Sequence, residues 1–353
     1  MNPSATVTRK GVNKVNFGTV KRILLIGGAR LLAETASALT KEKNYQVVVF
    51  SSVRHLEESV SGYDSSLKKI LEKNKIQYFC EEDINQSKEI SRFLDGDTLA
   101  MAMGAAWVFE KSFVKKLAKP FLDFMGIDLP RYRGGGHYTW QILFNNRKGC
   151  CNLQVISGGE ETFHQGAIIK RKEYRLAESC RQPVDYFNAA VKVEKDFIFE
   201  FLKEIEEGKD FDLMPLNEEE STYYPFLSTP HNGWINWDWD VQAIEKFICA
   251  FDDPYLGAST RLNGKRVFVK KCRIEKVDAD IHPFAAGLVI FVAAGFIRVM
   301  VKGGVLRIEK IYSEKQKDVL KEVRKGDRLW STAEDIDRAF TFQAQYGARG
   351  LKK

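Results

Sequence analysis

The segment from Pro120 to Lys172 gathers most of the residues this chain could use for chemistry. Within it, Leu129-Pro130-Arg131-Tyr132-Arg133-Gly134-Gly135-Gly136 runs directly into His137-Tyr138-Thr139-Trp140-Gln141-Ile142. Three successive glycines permit positive φ and close backbone approach, which ligand loops need and which a plain turn before a helix also uses. Arg131 and Arg133 carry planar guanidinium forks suited to a phosphate or carboxylate, or to ordinary surface pairing. His137, next to the glycines, and His164 are the imidazoles at hand, each either a proton-transfer group or a structural side chain. Asp123 offers a carboxylate to a substrate ammonium, or else caps a helix or faces solvent. Metal chemistry is not expected. The cysteines (Cys80, Cys150, Cys151, Cys180, Cys249, Cys272) lack Cys-x-x-Cys spacing, and the five histidines are scattered.

The elements around this segment read as an α/β protein. Arg22 to Ile26 is a largely apolar run, as in a buried parallel strand, and Gly27-Gly28 turns it into the helical pattern Leu31 to Lys41. Gln46 to Phe50 gives a second strand, Leu67 to Lys73 a helix, and Thr98 to Met103 another strand ended by Gly104. Strands alternating with helices imply right-handed crossovers and a parallel sheet. No Gly-x-Gly-x-x-Gly follows the first strand, which argues against a dinucleotide site.

Between Gly208 and Leu227 the pattern breaks into an acidic, aperiodic stretch that reads as a linker. Val241 to Phe251 is then a short amphipathic helix, with Trp237 and Trp239 expected in the core beside it. Short β-type runs separated by glycines follow to about Leu329, the pattern of a small barrel or curled sheet. The expected organisation is a tail at 1–20, an N-terminal domain at 21–207, a linker at 208–230, a β-rich domain at 231–335 and a tail at 336–353.

The net charge is 54 − 47 = +7, spread along the chain. Lys115-Lys116, Lys170-Arg171-Lys172 and Lys270-Lys271 are too short for a basic arm, so no nucleic-acid partner is expected. The longest apolar run, Phe284 to Met300, is broken by Gly287, Gly295 and Arg298, and none approaches the ~20 residues that span a bilayer. The first twenty residues lack a secretory apolar middle. A cytoplasmic protein with reduced thiols is expected.

The ordered series LPRYRGGG, Trp140 and Gly166-Ala167-Ile168-Ile169 resembles the formyltransferase family that uses 10-formyltetrahydrofolate. Residues 99–114 (LAMAMGAAWVFEKSFV) look like that family's strand and loop beside the pterin pocket, and 232–269 are similar to the C-terminal domain of methionyl-tRNA formyltransferase and its sugar-modifying relatives. The resemblance implies a Rossmann-like formyltransferase domain, a smaller OB-like C-terminal domain, and 10-formyltetrahydrofolate as cofactor. It assigns Met101, Met103, Gly104 and Ala105 to the folate slot, and Arg131, Arg133, Gly134, Gly135 and Gly136 to substrate binding.

It also implies an Asn, a His and an Asp at the reaction centre, and there the sequence departs from the pattern. Counting back from Leu129-Pro130 puts Asp123 at the Asn position and Met125 at the His position, a register supported by Gly126. The third position falls on His164 counted from Gly166, or on Glu161 counted from Cys151, the latter favoured by Gly159-Glu160-Glu161-Thr162. A methionine neither donates a strong hydrogen bond nor shuttles a proton, and an ionised Asp123 would repel an oxyanion. His137 and His164 are the candidate replacements.

The family's tRNA-modifying members carry a basic loop after the second strand, where this chain reads Ser51-Ser52-Val53-Arg54-His55-Leu56-Glu57-Glu58-Ser59. With the acidic linker, this disfavours tRNA. GGARLLAE, VRHLEE and FDDPYLGAST resemble formyltransferases of surface polysaccharides, whose substrates are nucleotide-linked amino sugars. A homodimer is compatible with that resemblance. Two readings stand: an N-formyltransferase with a rebuilt catalytic set, or a non-catalytic member that binds a folate, nucleotide sugar or partner.

Overall fold

A strand that is apolar on both faces is stable only inside a sheet covered on both sides. In the computed structural model, which describes residues 14–42, 44–60, 62–63, 65–135, 137–159, 164–275 and 281–352, the run Arg22–Gly27 (β1) is an interior strand of a seven-stranded sheet. It is joined by β2 (Gln46–Ser51), β3 (Gln77–Cys80), β4 (Thr98–Met103), β5 (Leu122–Met125), β6 (Lys148–Val155) and β7 (Ile168–Arg175), in the order β3-β2-β1-β4-β5-β6-β7. Strands β1 to β5 are mutually parallel; β6 runs antiparallel to β5, and β7 to β6.

The chain builds outward from β1 through β2 and β3, then crosses to β4 on the other side. The crevice beyond the carboxyl ends of β1 and β4 is therefore the switch point at which open α/β sheets bind ligands. The two strand ends approach so closely that a Cβ on Gly27 (φ 137°) would lie 2.2 Å from the Met103 carbonyl oxygen. Helices α1 (Ala29–Glu42) and α4 (Pro183–Glu206) cover one sheet face, packing Leu32, Leu39, Phe197 and Phe201 on Leu25, Met101 and Leu122. Phe109, Phe113 and Phe121 cover the other face over Leu24, Ile26, Ala100 and Ala102. Between these elements come α2 (Leu67–Lys73) and α3 (Tyr138–Leu143).

The second domain opens with α5 (Val241–Ala250) and an antiparallel sheet of β8 (Ala258–Leu262), β9 (Lys265–Glu275), β10 (Val289–Ala293), β11 (Phe296–Val301), β12 (Gly304–Ser313) and β13 (Leu329–Trp330). Its order is β10-β11-β12-β9-β8-β13. The two ends meet: Val289 N–H donates to Asp327 O (2.8 Å) and Leu329 N–H to Gly287 O (2.9 Å). Closure removes the exposed strand edges that would otherwise invite pairing. It also demands a glycine, because a Cβ on Gly287 (φ 78°) would sit 1.9 Å from the Leu329 carbonyl oxygen. Trp237 is buried with its Nε1–H on Thr260 Oγ1 (2.9 Å), while Trp239 is half-buried against Phe247. The barrel core continues into Tyr138 and Ile142 of α3 and Tyr186 and Ala190 of α4, so the domains share one apolar interior.

The expected tails and linker carry more structure than their composition suggests. Lys14–Val15 pairs with Phe211–Asp212, and Phe17, only 2% exposed, packs on Phe201 and Phe211. Tyr223–Tyr224 pairs in parallel with Arg133–Gly134. At the other end, Ala333–Thr341 forms α6 behind a Thr332–Asp335 capping box, and Tyr346–Gly347 pairs with Gly350–Leu351. Among the described residues, no helix is long and apolar enough to cross a membrane.

Candidate active site

The carboxyl ends of β1, β2, β4 and β5 deliver Gly27-Gly28, Ser51-Ser52, Met103-Gly104 and Met125-Gly126 to one edge of the sheet. Ser51 Oγ donates to Gly27 O (2.6 Å), and the His55 ring lies so close over Gly28 that a Cβ there would be 2.4 Å from it. Met101 and Met103 are 1% and 2% exposed, their side chains committed to the core under α1 and α4. What β4 presents at the crevice is instead backbone, at the exposed Gly104 (φ 61°) and the half-buried Ala105.

Asp123 sits on β5, with Ala102 beside it on one side and Gln154 on the other. It is a strand residue and caps no helix, which removes one of the alternatives weighed for it. Gln154 has its amide donated to Gly166 O (2.7 Å). The Asp123 side chain is partly accessible but deep in the protein, and it forms no hydrogen bond or ion pair with any described residue. Burial, with no compensating donor or cation, pushes its carboxyl up to about 8. Met125, on the same face, packs with Ile127, Leu129 and Ile168, with Tyr132 and Leu216 alongside.

The two histidines come together. Gly134 N–H donates to His164 Nδ1 (3.4 Å), so that ring keeps its proton on Nε2, and Arg133 Nε donates to the His164 carbonyl (3.1 Å). Burial first, then the neighbouring His137 and Arg133, hold His164 down to about 3. His137 immediately precedes α3; its surface meets solvent, yet protein surrounds it, which marks a recess rather than the outer surface. Burial lowers it too, to about 4. Both rings are neutral at pH 7. Glu161 and Gly136 lie outside the described residues.

Arg131 and Arg133 clasp the acidic linker. Arg131 pairs with Glu220; Arg133, nearly buried, holds Glu218 through Nη2 (2.7 Å) and Ser221 through Nη1 (2.7 Å). The glycines serve the same docking. A Cβ on Gly134 would lie 2.5 Å from the Tyr223 ring and the Tyr224 carbonyl, and one on Gly135 would lie 2.6 Å from Phe226 Cα. Asp128, Cys150 and Glu173 bring their ligand atoms within 4.8 Å of one another, close enough to share a metal ion. Lys148 Nζ already bridges Asp128 (3.3 Å) and Glu173 (2.9 Å), and Arg171 joins them.

Two features escaped sequence reasoning. Glu194 of α4 is 7% exposed, receives the Tyr138 hydroxyl (3.3 Å), and lies against Gly126, where a Cβ would be 2.8 Å from Glu194 Oε1. Burial raises its carboxyl to about 7. The sequence does carry a signal: Glu194 interrupts the apolar stripe Ala190, Val191, Phe197, Ile198, Phe201 at helical spacing. The second is the C-terminal hairpin. Arg54 stacks over Tyr346 (5.7 Å), Tyr346 meets Phe226 (6.1 Å), and Arg349 pairs with Glu82 (2.6 Å). It thus bridges the rim after β2 to the rim that rests on Gly135.

Residues 228–326 match the family described as formyl transferase, C-terminal domain. No curated protein matches the chain in sequence. Among solved structures, WlaRD, a sugar 3N-formyl transferase in the presence of dTDP and 5-N-formyl-THF, is similar with a TM-score of 0.59 at 14% identity, over 83% of this chain and 98% of that one. The N-formyltransferase from Helicobacter canadensis, in complex with folinic acid and dTDP-3-aminofucose, gives 0.59 at 15% identity, over 83% and 100%. HypX from Aquifex aeolicus, in complex with tetrahydrofolic acid, gives 0.56 at 15% identity, over 84% and 45%. The chain has the two-domain formyltransferase fold, and its residues 228–326 match the formyl transferase C-terminal domain.

Proposed function

We propose that the protein is an N-formyltransferase that moves a formyl group from 10-formyltetrahydrofolate to the amine of a nucleotide-linked amino sugar. The observation that carries this reading is the unpartnered Asp123 on β5, one of the strands that end at the switch-point edge, in a fold shared with enzymes solved with folates and dTDP sugars. The open backbone at Gly104 and Ala105 suits the flat donor–acceptor edge of a pterin. When bound, the folate supplies an activated formyl carbon. His137, neutral and solvent-edged, takes the proton that the attacking amine must lose.

Met125 favours a second reading. Its side chain packs against Ile127, Leu129 and Ile168 where the resembled family has an imidazole, as in a member that only binds. One assay separates the two: purified protein with 10-formyltetrahydrofolate and a dTDP-linked 3- or 4-amino sugar, followed by mass spectrometry of the sugar nucleotide. Formylated product supports transfer. Folate binding without product supports the binding role.

A further inference from the structure

We propose that Asp123 works as a neutral carboxylic acid, its O–H donating a hydrogen bond to the formyl oxygen during transfer. The inference rests on the N-formyltransferase reading and goes beyond it by giving Asp123 a protonation state and a role. A carboxyl held away from bulk water keeps its charge only if a cation or several N–H donors surround it. The neighbours of Asp123 supply neither. Ala102 on β4 is apolar, and Gln154 on β6 has its amide on Gly166 O, with Ile168 of β7 beyond it in register. The cations of this region are engaged elsewhere: Arg171, beside Asn152 in the next row, pairs with Asp128 and Glu173, and Arg133 pairs with Glu218. Among the described titratable groups of the crevice, His137 and His164 are lowered and neutral and Glu194 is a carboxyl, so none of them supplies a cation. With its carboxyl raised to about 8, Asp123 is mainly protonated at pH 7.

The step balances. As the amine nitrogen bonds to the formyl carbon, the carbonyl π pair moves onto oxygen, where the Asp123 O–H meets it. The ammonium proton leaves to His137. The carbon's bond to the folate nitrogen then breaks, and that nitrogen takes up the proton. Asp123 ends as it began, so an amide, which also donates, can replace it.

The test compares wild type, Asp123→Asn and Asp123→Ala across pH 6 to 9.5. Wild type should lose kcat above about pH 8, where the acid ionises. Asp123→Asn should stay within ~10-fold of wild type at pH 7 and lose that alkaline limb, whereas Asp123→Ala should fall ~10²–10³-fold. An Asn variant as inactive as Ala, or a wild-type rate that rises through pH 8, overturns the proposal while leaving formyl transfer intact.

A second readout needs no turnover. A folded-state pKa raised above the unfolded carboxyl value means that the stabilisation is complete below that lower value and is lost as pH rises through the folded one. The melting temperature of wild type relative to Asp123→Asn should therefore fall between about pH 4 and 8 and then level off. A flat difference overturns the neutral acid. If no transfer occurs, binding of 10-formyl-5,8-dideazafolate decides the donor role: it should weaken above pH 8 in wild type and not in Asp123→Asn. Equal, pH-independent binding overturns it.

Discussion

The barrel and the switch-point crevice of this chain are built by opposite rules. In the barrel, local choices agree with the fold. Strand ends close on one another, Gly287 stands where only glycine fits, and Trp237 and Asp335 have their partners. In the crevice they conflict. Asp123 is deep without a partner, Glu194 lies in an apolar stripe, and His164 holds a positive φ of 57°. Sequences that specify a structure satisfy these rules nearly everywhere and break them where function requires it. The contrast supports the proposal that the first domain carries the function.

The contrast can be tested from both sides. The largest effect belongs to the barrel: Gly287→Val puts a branched Cβ against the Leu329 carbonyl at positive φ and should cost about 3 kcal/mol or more, seen as a lost or strongly lowered thermal transition. Next comes Glu194→Gln. The raised carboxyl of Glu194 contributes stability below about pH 4 that is lost as pH rises through 7, so above pH 8 the variant should be more stable than wild type by about 1–3 kcal/mol in urea melts. At pH 4 the gain should vanish. Glu218→Ala frees one side of the nearly buried Arg133 and should cost about 1 kcal/mol, with faster proteolysis of the linker at 208–230. Arg349→Ala removes an ion pair whose side chains are 78% and 71% exposed, and should change stability by less than about 0.5 kcal/mol.

What could be read beforehand follows the same division. The parallel strands were legible because runs such as Arg22 to Ile26 admit no exposed face, and the barrel because glycines punctuate its short strands. The docked linker was not. Its acidic composition says nothing of Arg131 and Arg133, whose partners Glu220 and Glu218 lie more than eighty residues on. Phe17 and Phe211 meet across a separation more than twice as long, so each looked like an isolated apolar residue in polar surroundings. The residue type of Asp123 suggests an ionised group that would repel an oxyanion. Only its strand position and lack of partners reverse that reading, and no local pattern announces either.

The measurement that bears most directly on this account is the rate of formyl transfer to a dTDP-linked amino sugar by wild type and by His137→Ala, with folate binding followed in parallel. The account predicts product with wild type, a loss of ~10²–10⁴-fold in kcat for His137→Ala, and folate binding little changed, because the side chain is assigned to moving a proton. A wild-type protein that neither binds reduced folate nor forms product, or a His137→Ala variant as fast as wild type, would contradict it.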